Sequence, residues 1–264
     1  MPRRYGVEKK YFFFDIDNTI AVWPDSHVPD STQETLHLLA KKGHHVALNT
    51  GRIQWDAQRF AEITGVQDFS ADGGNSLTIG GEIQYMEGMD RQKCIDYLEH
   101  LEAHEIPWAV TDRNRLSRIT PYASILDWHP DWDVFKTHID PHFDFHDVEH
   151  FFKIYAFFLE GEEEDKEIQH FTQDMIRYGE GCILFEPMDK ARGVRGLMDF
   201  YGAPDYSQAV VFGDGMNDLS MFKKDWMKIA MGNGRDELKA QADYVTDDCD
   251  QDGIWKACKR FGWL

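Results

Sequence analysis

Two distant parts of the chain share one arrangement, in which short apolar runs end in polar residues and are followed by helix-like segments. Tyr11 to Ile16 is almost wholly apolar or aromatic, which is typical of a strand buried on both faces of a parallel sheet. Val46 to Leu48 comes next, and Ala209 to Phe212 repeats the pattern late in the chain. This order of strands and helices predicts one open parallel α/β sheet built from both parts.

The predicted helices and turns of these two parts have recognisable ends. Ser31 to Glu34 has the sequence of a capping box, and Gly43 closes the helix that it would begin. Ser76 to Met86 has the pattern of a hairpin with a two-glycine turn. Asp189 is placed to cap a helix over Lys190 to Phe200.

The middle of the chain has a different composition, since it holds most of the histidines, many aromatic residues and an acidic run. Its predicted elements are helices over 90–104 and 164–178 and strands over 108–111, 153–159 and 182–185. We therefore expect a core made of residues 1–81 and 188–264, interrupted by an inserted α+β domain over 82–187.

The bulk properties are those of a folded protein, with 42% hydrophobic and 28% charged residues. There is no apolar run of about 18 residues or more and no signal-peptide pattern at the start. The four cysteines are scattered, so we expect a cytoplasmic protein with reduced thiols. The formal charge of −19 argues against nucleic acid or an anionic membrane as a partner, and the oligomeric state stays open.

Four carboxylates follow predicted strands, at the sheet edge where open α/β proteins bind ligands. Asp15 and Asp17 follow the first strand, whereas Asp214 and Asp218 follow the late one. Two like charges about 4 Å apart repel by about 4 kcal/mol at an effective dielectric of about 20, so the cluster predicts a bound cation. Hard oxygen ligands favour Mg²⁺ over zinc. An acid after a strand is also common in plain caps and turns, so only the combination favours a site.

One lysine, Lys190, lies in the first turn of a predicted helix, where the helix dipole disfavours a positive charge. A nearby anion would explain this position. A solvated lysine is the alternative, because dipole and propensity effects are weak.

Four segments resemble, in order and spacing, the motifs of the haloacid dehalogenase superfamily of phosphatases, in its Cof-type branch with a type IIB cap. They are Asp15-x-Asp17-x-Thr19, Thr50 in a Thr-Gly-Arg triplet, Lys190 with Gly193, and Gly213 to Asp218. The resemblance covers essentially the whole chain. It implies a Rossmann-like three-layer αβα core with a parallel sheet, plus an inserted α+β cap that acts as a lid.

The chain departs from the family pattern at two points. Asn18 stands where glycine is commonest, although asparagine tolerates left-handed backbone angles. The residues before the third motif, Phe185 to Asp189, are also unusual. Arg192 is a second candidate for the base of that motif, but Lys190 matches the spacing better.

The resemblance implies a Mg²⁺-dependent phosphatase that hydrolyses a small phosphomonoester, such as a sugar phosphate, through an aspartyl-phosphate. Asp15 would be the nucleophile and Asp17 the general acid and base. Asp218 would either bind the ion through water or hold Lys190. The implied catalytic residues are Asp15, Asp17 and Lys190, and the implied metal residues are Asp15, Asp17, Asp214 and Asp218. Phosphate would be bound by Asn49, Thr50, Gly51, Arg52, Lys190 and Asn217, with backbone amides around Asn49–Gly51 and Asp17–Asn18 forming an anion nest.

Three other functions stay open. A phosphomutase of the same superfamily would return the phosphoryl group from Asp15 to a second position on the substrate. A signalling receiver domain also has an acid pocket, but its phosphorylated aspartate follows a middle strand rather than the first. A non-catalytic phosphate-binding module would keep the fold without turnover.

The histidines of the middle domain recur every four residues, at His138, His142, His146 and His150. On one helix they would form a metal site, but Pro141 argues against a continuous helix, so coincidence is the favoured interpretation. The tryptophans there could line a pocket, although a place in the core is the better prediction for them. They are Trp108, Trp128 and Trp132.

Overall fold

The computed structural model describes residues 9–131, 134–168, 171, 175–179 and 181–264. The described chain divides into two compact units. The core unit contains residues 9–50, 57–85 and 189–264, and the cap unit contains residues 51–56 and 86–188. The short segment 51–56, directly after the second strand, therefore belongs to the cap unit, which the sequence pattern did not predict.

The strands of the core unit are β1 Tyr11–Phe14, β2 His45–Asn49, β3 Phe69–Ala71, β4 Ser76–Ile79, β5 Glu82–Met86, β12 Ala209–Gly213, β13 Met227–Ala230 and β14 Tyr244–Val245. They form one sheet in the order β14-β13-β12-β1-β2-β3-β4-β5. The pairs from β14 to β3 are parallel, and β4 runs antiparallel to β3. Because β1 lies between β2 and β12, the chain leaving β1 emerges at the centre of the parallel edge.

The run of aromatic residues in β1 fills both faces of the sheet. Phe12 and Phe14 belong to one apolar cluster, whereas Tyr11 and Phe13 belong to the other. All four side chains are buried because helices cover each face. The Rossmann-like three-layer αβα fold expected from the sequence is therefore confirmed.

The helices of the described chain are α1 Asp30–Lys41, α2 Gln54–Thr64, α3 Arg91–Ala103, α4 Ile125–Trp128, α5 Lys190–Phe200, α6 Asp236–Lys239 and α7 Gly253–Arg260. Residues of α1, α2 and α7 pack on the face of Phe12, and residues of α5 pack on the face of Phe13. None of the helices in the described ranges combines the length and the apolar character that crossing a membrane requires.

The cap unit is an α+β structure around a second sheet. Its strands are β6 Trp108–Thr111, β7 Ser117–Thr120, β8 Lys136–Ile139, β9 Lys153–Ala156, β10 Met175–Gly179 and β11 Cys182–Phe185. They lie in the order β10-β11-β9-β6-β7-β8. Trp108 is buried in the cap core as predicted, Trp128 is 44% exposed, and Trp132 lies outside the described residues.

The histidines of the cap do not share a helix. His138 lies on β8, and His146 lies in a short 3-10 helix over Phe145–Asp147. The sequence-based expectation that the four-residue spacing is a coincidence agrees with this placement.

Two local predictions were wrong. The helix α1 begins at Asp30 and no side chain caps it, so Ser31 to Glu34 is not a capping box. The helix predicted over 164–178 is replaced, in its described part, by turns and by β10, which pairs with β11. A charged, mixed-polarity stretch has no helical preference strong enough to resist pairing with an available strand edge.

We predict that His45 makes the stability of the core unit depend on pH. Its ring stacks between Tyr11 and Tyr201, with centroid distances of 4.9 and 3.9 Å, and its Nε2 is buried without a hydrogen-bond partner. Burial, with a smaller contribution from Lys9, lowers the pKa of His45 below its usual value. Because the folded-state pKa is depressed, the associated stability is present above the unfolded pKa of about 6.5 and is lost as the pH falls below it.

The test is His45→Phe, which keeps a stacked ring and removes the titration. Between pH 7.5 and pH 5.5 its free energy of unfolding should fall less than that of the wild type, and the difference should be at most about 1.4 kcal/mol per pH unit for one group. His37→Phe, at an exposed position on α1, is the matched control. Equal pH dependence in His45→Phe and wild type would contradict the prediction.

Candidate active site

The first acidic segment, from Asp15 to Asp17, is held at the end of β1 by a hydrogen bond to the neighbouring strand β12 and by the turn that follows it. The backbone N–H of Asp15 donates to Phe212 O at 3.1 Å, which continues the pairing of β1 with β12. Asn18 adopts a left-handed backbone with φ of 54°, as its position in a glycine-favouring turn requires. Its side-chain oxygen accepts the N–H of Trp23 at 3.3 Å, a contact that glycine could not make.

Lys190 joins the two acidic segments. Its Nζ lies 2.7 Å from Asp15 Oδ1 and 2.6 Å from Asp218 Oδ1, and these side chains are almost entirely buried. A lysine in the first turn of a helix is disfavoured by the dipole, and the two carboxylates supply the anions that account for it. The expected nearby anion is therefore present, and Arg192 instead donates to Asn75 Oδ1.

The second acidic segment folds tightly back after β12. Asp218 Oδ2 accepts the backbone N–H groups of Asp214 and Gly215, each at 2.9 Å. A Cβ on Gly213 would lie 2.6 Å from the carboxyl carbon of Asp218, so only glycine permits this approach. With Oδ1 on Lys190, both oxygens of Asp218 are engaged, which fits its expected role as the holder of that lysine.

Three carboxylates converge on one point. Asp15, Asp214 and Asp218 each offer an oxygen within 4.8 Å of the others, and no other such group of metal-binding side chains occurs within the described ranges. Thr19 Oγ1 donates to Asp214 Oδ1 at 3.2 Å and so orients that side chain. Oxygen donors at this spacing fit a hard divalent cation.

Burial and the charges of neighbouring carboxylates shift the pKa values of two carboxyl groups in the cluster. Burial and the charge of Asp218 raise the pKa of Asp15 to about 7, although Lys190 opposes the rise. Burial, Asp218 and Asp15 together raise the pKa of Asp214 to about 8. Burial disfavours the charged form of Lys190, but Asp15 and Asp218 outweigh it, and the pKa of Lys190 is raised.

The residues expected to bind phosphate do not all lie in one unit. Thr50 is in the core unit and is 1% exposed, and its backbone N–H donates to Ser70 O at 3.0 Å. This amide is therefore already used by the chain rather than turned towards a nest. Asn49 is fully buried, with its side-chain nitrogen 2.9 Å from Lys190 O.

Gly51 and Arg52 belong to the cap unit, and each contacts a charged side chain of that unit. Gly51 O accepts a hydrogen bond from Lys153 Nζ at 2.9 Å, and Lys153 forms a buried ion pair with Glu186. Arg52 forms an ion pair with Asp56, one turn along the chain. Glu186 lies in the lead-in that departs from the family pattern, so that segment has a structural role of its own.

Two residues of the site were missed by the sequence reasoning. Ser220 Oγ accepts the backbone N–H of Lys190 at 3.0 Å and donates to Asn217 O at 3.0 Å. Asn233 Nδ2 donates to Asn18 O at 2.8 Å. Ser220 binds the backbone of a residue 30 positions earlier, and Asn233 binds one more than 200 positions earlier, so no local pattern marked either residue.

Comparison with known proteins places the chain in a family. The family model described as haloacid dehalogenase-like hydrolase matches residues 12–258. A Bacillus subtilis (strain 168) protein named "Putative phosphatase YkrA" is 29% identical over 270 residues, which cover 98% of this chain and 100% of that protein. From the same organism, 5-amino-6-(5-phospho-D-ribitylamino)uracil phosphatase YwtE is 24% identical over 279 residues, covering 93% and 95% of the two chains.

Solved structures agree with this placement. The subclass IIB sugar phosphatase BT4131 is 26% identical, with a TM-score of 0.77 over 97% of this chain and 100% of that chain. BT1666 from Bacteroides thetaiotaomicron matches with a TM-score of 0.81 over 100% and 98% of the chains; at 21% identity it supports the fold alone. The chain belongs to the haloacid dehalogenase-like hydrolases. Within them it is a phosphatase of the Cof-type branch, a hydrolase of phosphomonoesters.

Replacing Lys190 by methionine should destabilise the core unit strongly, because Asp15 and Asp218 would keep buried charge without its partner. Removing one member of a buried ion pair costs about 3–5 kcal/mol. The double variant Lys190→Met with Asp218→Asn should recover part of this loss, since one unpaired carboxylate is then neutral. Chemical unfolding of the three proteins without added metal measures the effect. A Lys190→Met protein as stable as wild type would refute the ion-pair assignment.

Proposed function

We propose that this phosphatase hydrolyses a small phosphorylated sugar or similar metabolite, with Asp15 as the nucleophile and a divalent cation, Mg²⁺, in the acidic cluster. The observation that carries the proposal is the buried bridge from Lys190 to Asp15 and Asp218 beside Asp214. It gathers a nucleophile, a fixed cation and spare carboxylate oxygens at the centre of the parallel edge. Phosphoryl transfer requires above all a nucleophile positioned in line with the leaving group and positive charge beside the transferred phosphoryl group.

In the first chemical step an oxygen of Asp15 attacks phosphorus and the bond from phosphorus to the leaving oxygen breaks. Asp17 donates a proton to that oxygen, so that the product leaves as an alcohol. In the second step a water attacks phosphorus, Asp17 takes a proton of the water, and the bond between phosphorus and the Asp15 oxygen breaks, so that inorganic phosphate is released and the Asp15 carboxylate is regenerated. Lys190 neutralises an oxygen of the transferred group throughout, and Asn217 and Thr50 bind the others.

The acidic cluster fits a divalent ion. Asp15 and Asp214 would hold it with their carboxylates, Asp17 with its backbone carbonyl, and Asp218 through water because both of its oxygens are engaged by the protein. Bound there, the ion neutralises charge on the transferred phosphoryl group. The three carboxylates of the cluster exceed the single positive charge of Lys190, so a bound cation would also relieve the repulsion that burial intensifies.

The substrate class rests on the relatives. One is named for a phosphorylated ribityl compound and one is titled a sugar phosphatase, so both act on phosphate carried by a polyhydroxylated carbon chain. We extend this class to the present chain, with Gly51 and Arg52 as further phosphate-binding residues. We also propose a cytoplasmic location, supported by four cysteines that are all buried free thiols.

Phosphate release from a panel of sugar and polyol phosphates with Mg²⁺ tests the function. Asp15→Asn should reduce release to background, and Asp17→Asn should slow it by about 10²–10⁴-fold through loss of acid–base catalysis. Asp30→Asn, the same change at an exposed position at the start of α1, should keep wild-type activity. Release that persists in Asp15→Asn would exclude this mechanism, and isomer formation without net phosphate release would favour a mutase.

Binding of Mg²⁺ should depend on pH with a known sign. Because the pKa values of Asp15 and Asp214 are raised to about 7 and about 8, protons occupy these carboxylates near neutral pH when no cation is bound. Binding should release protons, and the affinity should fall as the pH drops from 8 to 6, by up to about tenfold per pH unit for each proton displaced. Calorimetry in two buffers of different ionisation enthalpy counts the protons.

Asp214→Asn provides the control for this titration. It should bind the ion more weakly and with a shallower pH dependence, since one titrating ligand is gone. Affinity that is independent of pH in the wild type, or unchanged in Asp214→Asn, would exclude this cluster as the cation site.

A further inference from the structure

The backbone of Lys190 is held by side chains on both of its polar groups. Its N–H donates to Ser220 Oγ at 3.0 Å, and its carbonyl accepts from Asn49 Nδ2 at 2.9 Å. The two partners come from different elements, because Asn49 ends β2 and Ser220 lies in the 3-10 helix over Met216–Met221. A residue at the first turn of a helix normally leaves its N–H to water or a cap, so this double hold is specific to the position.

Asn49 occupies an unfavourable place for a purely structural residue. Its side chain is fully buried, and its Oδ1 has no hydrogen-bond partner. A buried acceptor without a partner is rare in folded proteins and costs stability, so its presence calls for an explanation. The opposite orientation of the amide would place oxygen against Lys190 O, which fixes Nδ2 as the atom that makes the contact.

The helix α5 is brought close enough for this contact by a glycine. A Cβ on Gly193 would lie 2.2 Å from Ser70 Oγ and 2.9 Å from Asn49 Oδ1. The backbone of α5 therefore packs directly on the ends of β2 and β3. The unpaired oxygen of Asn49 faces this close-packed contact, while its nitrogen donates to the carbonyl of Lys190.

We propose that Asn49 is a positioning residue for the phosphatase reaction, which acts with Ser220 to fix the backbone of Lys190 rather than by touching the substrate. Because the backbone N–H and the carbonyl of Lys190 are both held, the position of its Cα, and so the starting point of its side chain, is fixed. The Nζ then reaches Asp15 and Asp218 together, at 2.7 and 2.6 Å. This inference rests on the proposed function for its kinetic consequence, although the contacts stand without it.

The test uses Asn49→Leu, which has nearly the same size and removes both the donor and the orphaned acceptor. Positioning predicts a kcat lower by about 10- to 100-fold, because a displacement of about 1 Å can have this effect, with little change in KM. The thermal midpoint should stay within about two degrees of wild type, since a lost contact is offset by the lost orphan. Ser220→Ala should act in the same direction and guards against a folding defect in Asn49→Leu.

A second measurement needs no activity and so separates this inference from the proposed function. The coupling between Lys190 and Asp218 is obtained from the stabilities of Lys190→Met, Asp218→Asn and the double variant, in the wild-type and the Asn49→Leu backgrounds. Positioning predicts that the coupling falls at least twofold in the Asn49→Leu background. An unchanged coupling, or a kcat equal to wild type, overturns the inference; an inactive wild type with a reduced coupling overturns only the proposed function.

Discussion

The site depends on one buried lysine shared by two carboxylates. Lys190 contacts Asp15 from β1 and Asp218 from the turn after β12, so it links the two parts of the chain that are far apart in sequence. The fold brings them together because β1 and β12 are parallel neighbours, and their carboxyl ends meet at one edge. Other contacts fix the positions of the neighbouring carboxylates. Thr19 Oγ1 donates to Asp214, and the backbone N–H groups of Asp214 and Gly215 donate to Asp218.

Charge balance explains how an acidic protein can bind a phosphate. The chain has a formal charge of −19, yet its catalytic edge holds Lys190 and a group of carboxylates whose spacing fits a divalent cation. Burial and the neighbouring carboxylates raise the pKa values of Asp15 and Asp214, so a positive charge beside them is favourable. In the proposed mechanism a cation and a phosphoryl group would complete the balance together, and this would couple metal binding to catalysis.

Much of the core and the site could be predicted because their signals are local. A few neighbouring residues were enough to predict a strand that ends in acids, a helix capped by Asp189 and a hairpin with two glycines in its turn. All three are present in the structure. The helix predicted over 164–178 was wrong because residues 175–179 of that stretch pair with β11 instead. Residues 51–56 group with the cap unit, where Gly51 contacts Lys153 and Gln54 contacts Asn114, and partners so distant in the chain leave no local pattern. Ser220 was missed for the same reason, and the contact of Asn49 with the carbonyl of Lys190 was not predicted, since in both cases the partner is a backbone atom in another element.

The most direct test of the account is to find where the phosphoryl group goes. The enzyme is mixed with a ³²P-labelled substrate from the panel, quenched in acid during the first turnover, and digested, in the wild type and in Asp17→Asn. The account predicts labelled protein, with the label on the peptide that contains Asp15 and none in Asp15→Asn. Label on another residue, or turnover in both active proteins without labelled protein at any time, would contradict it.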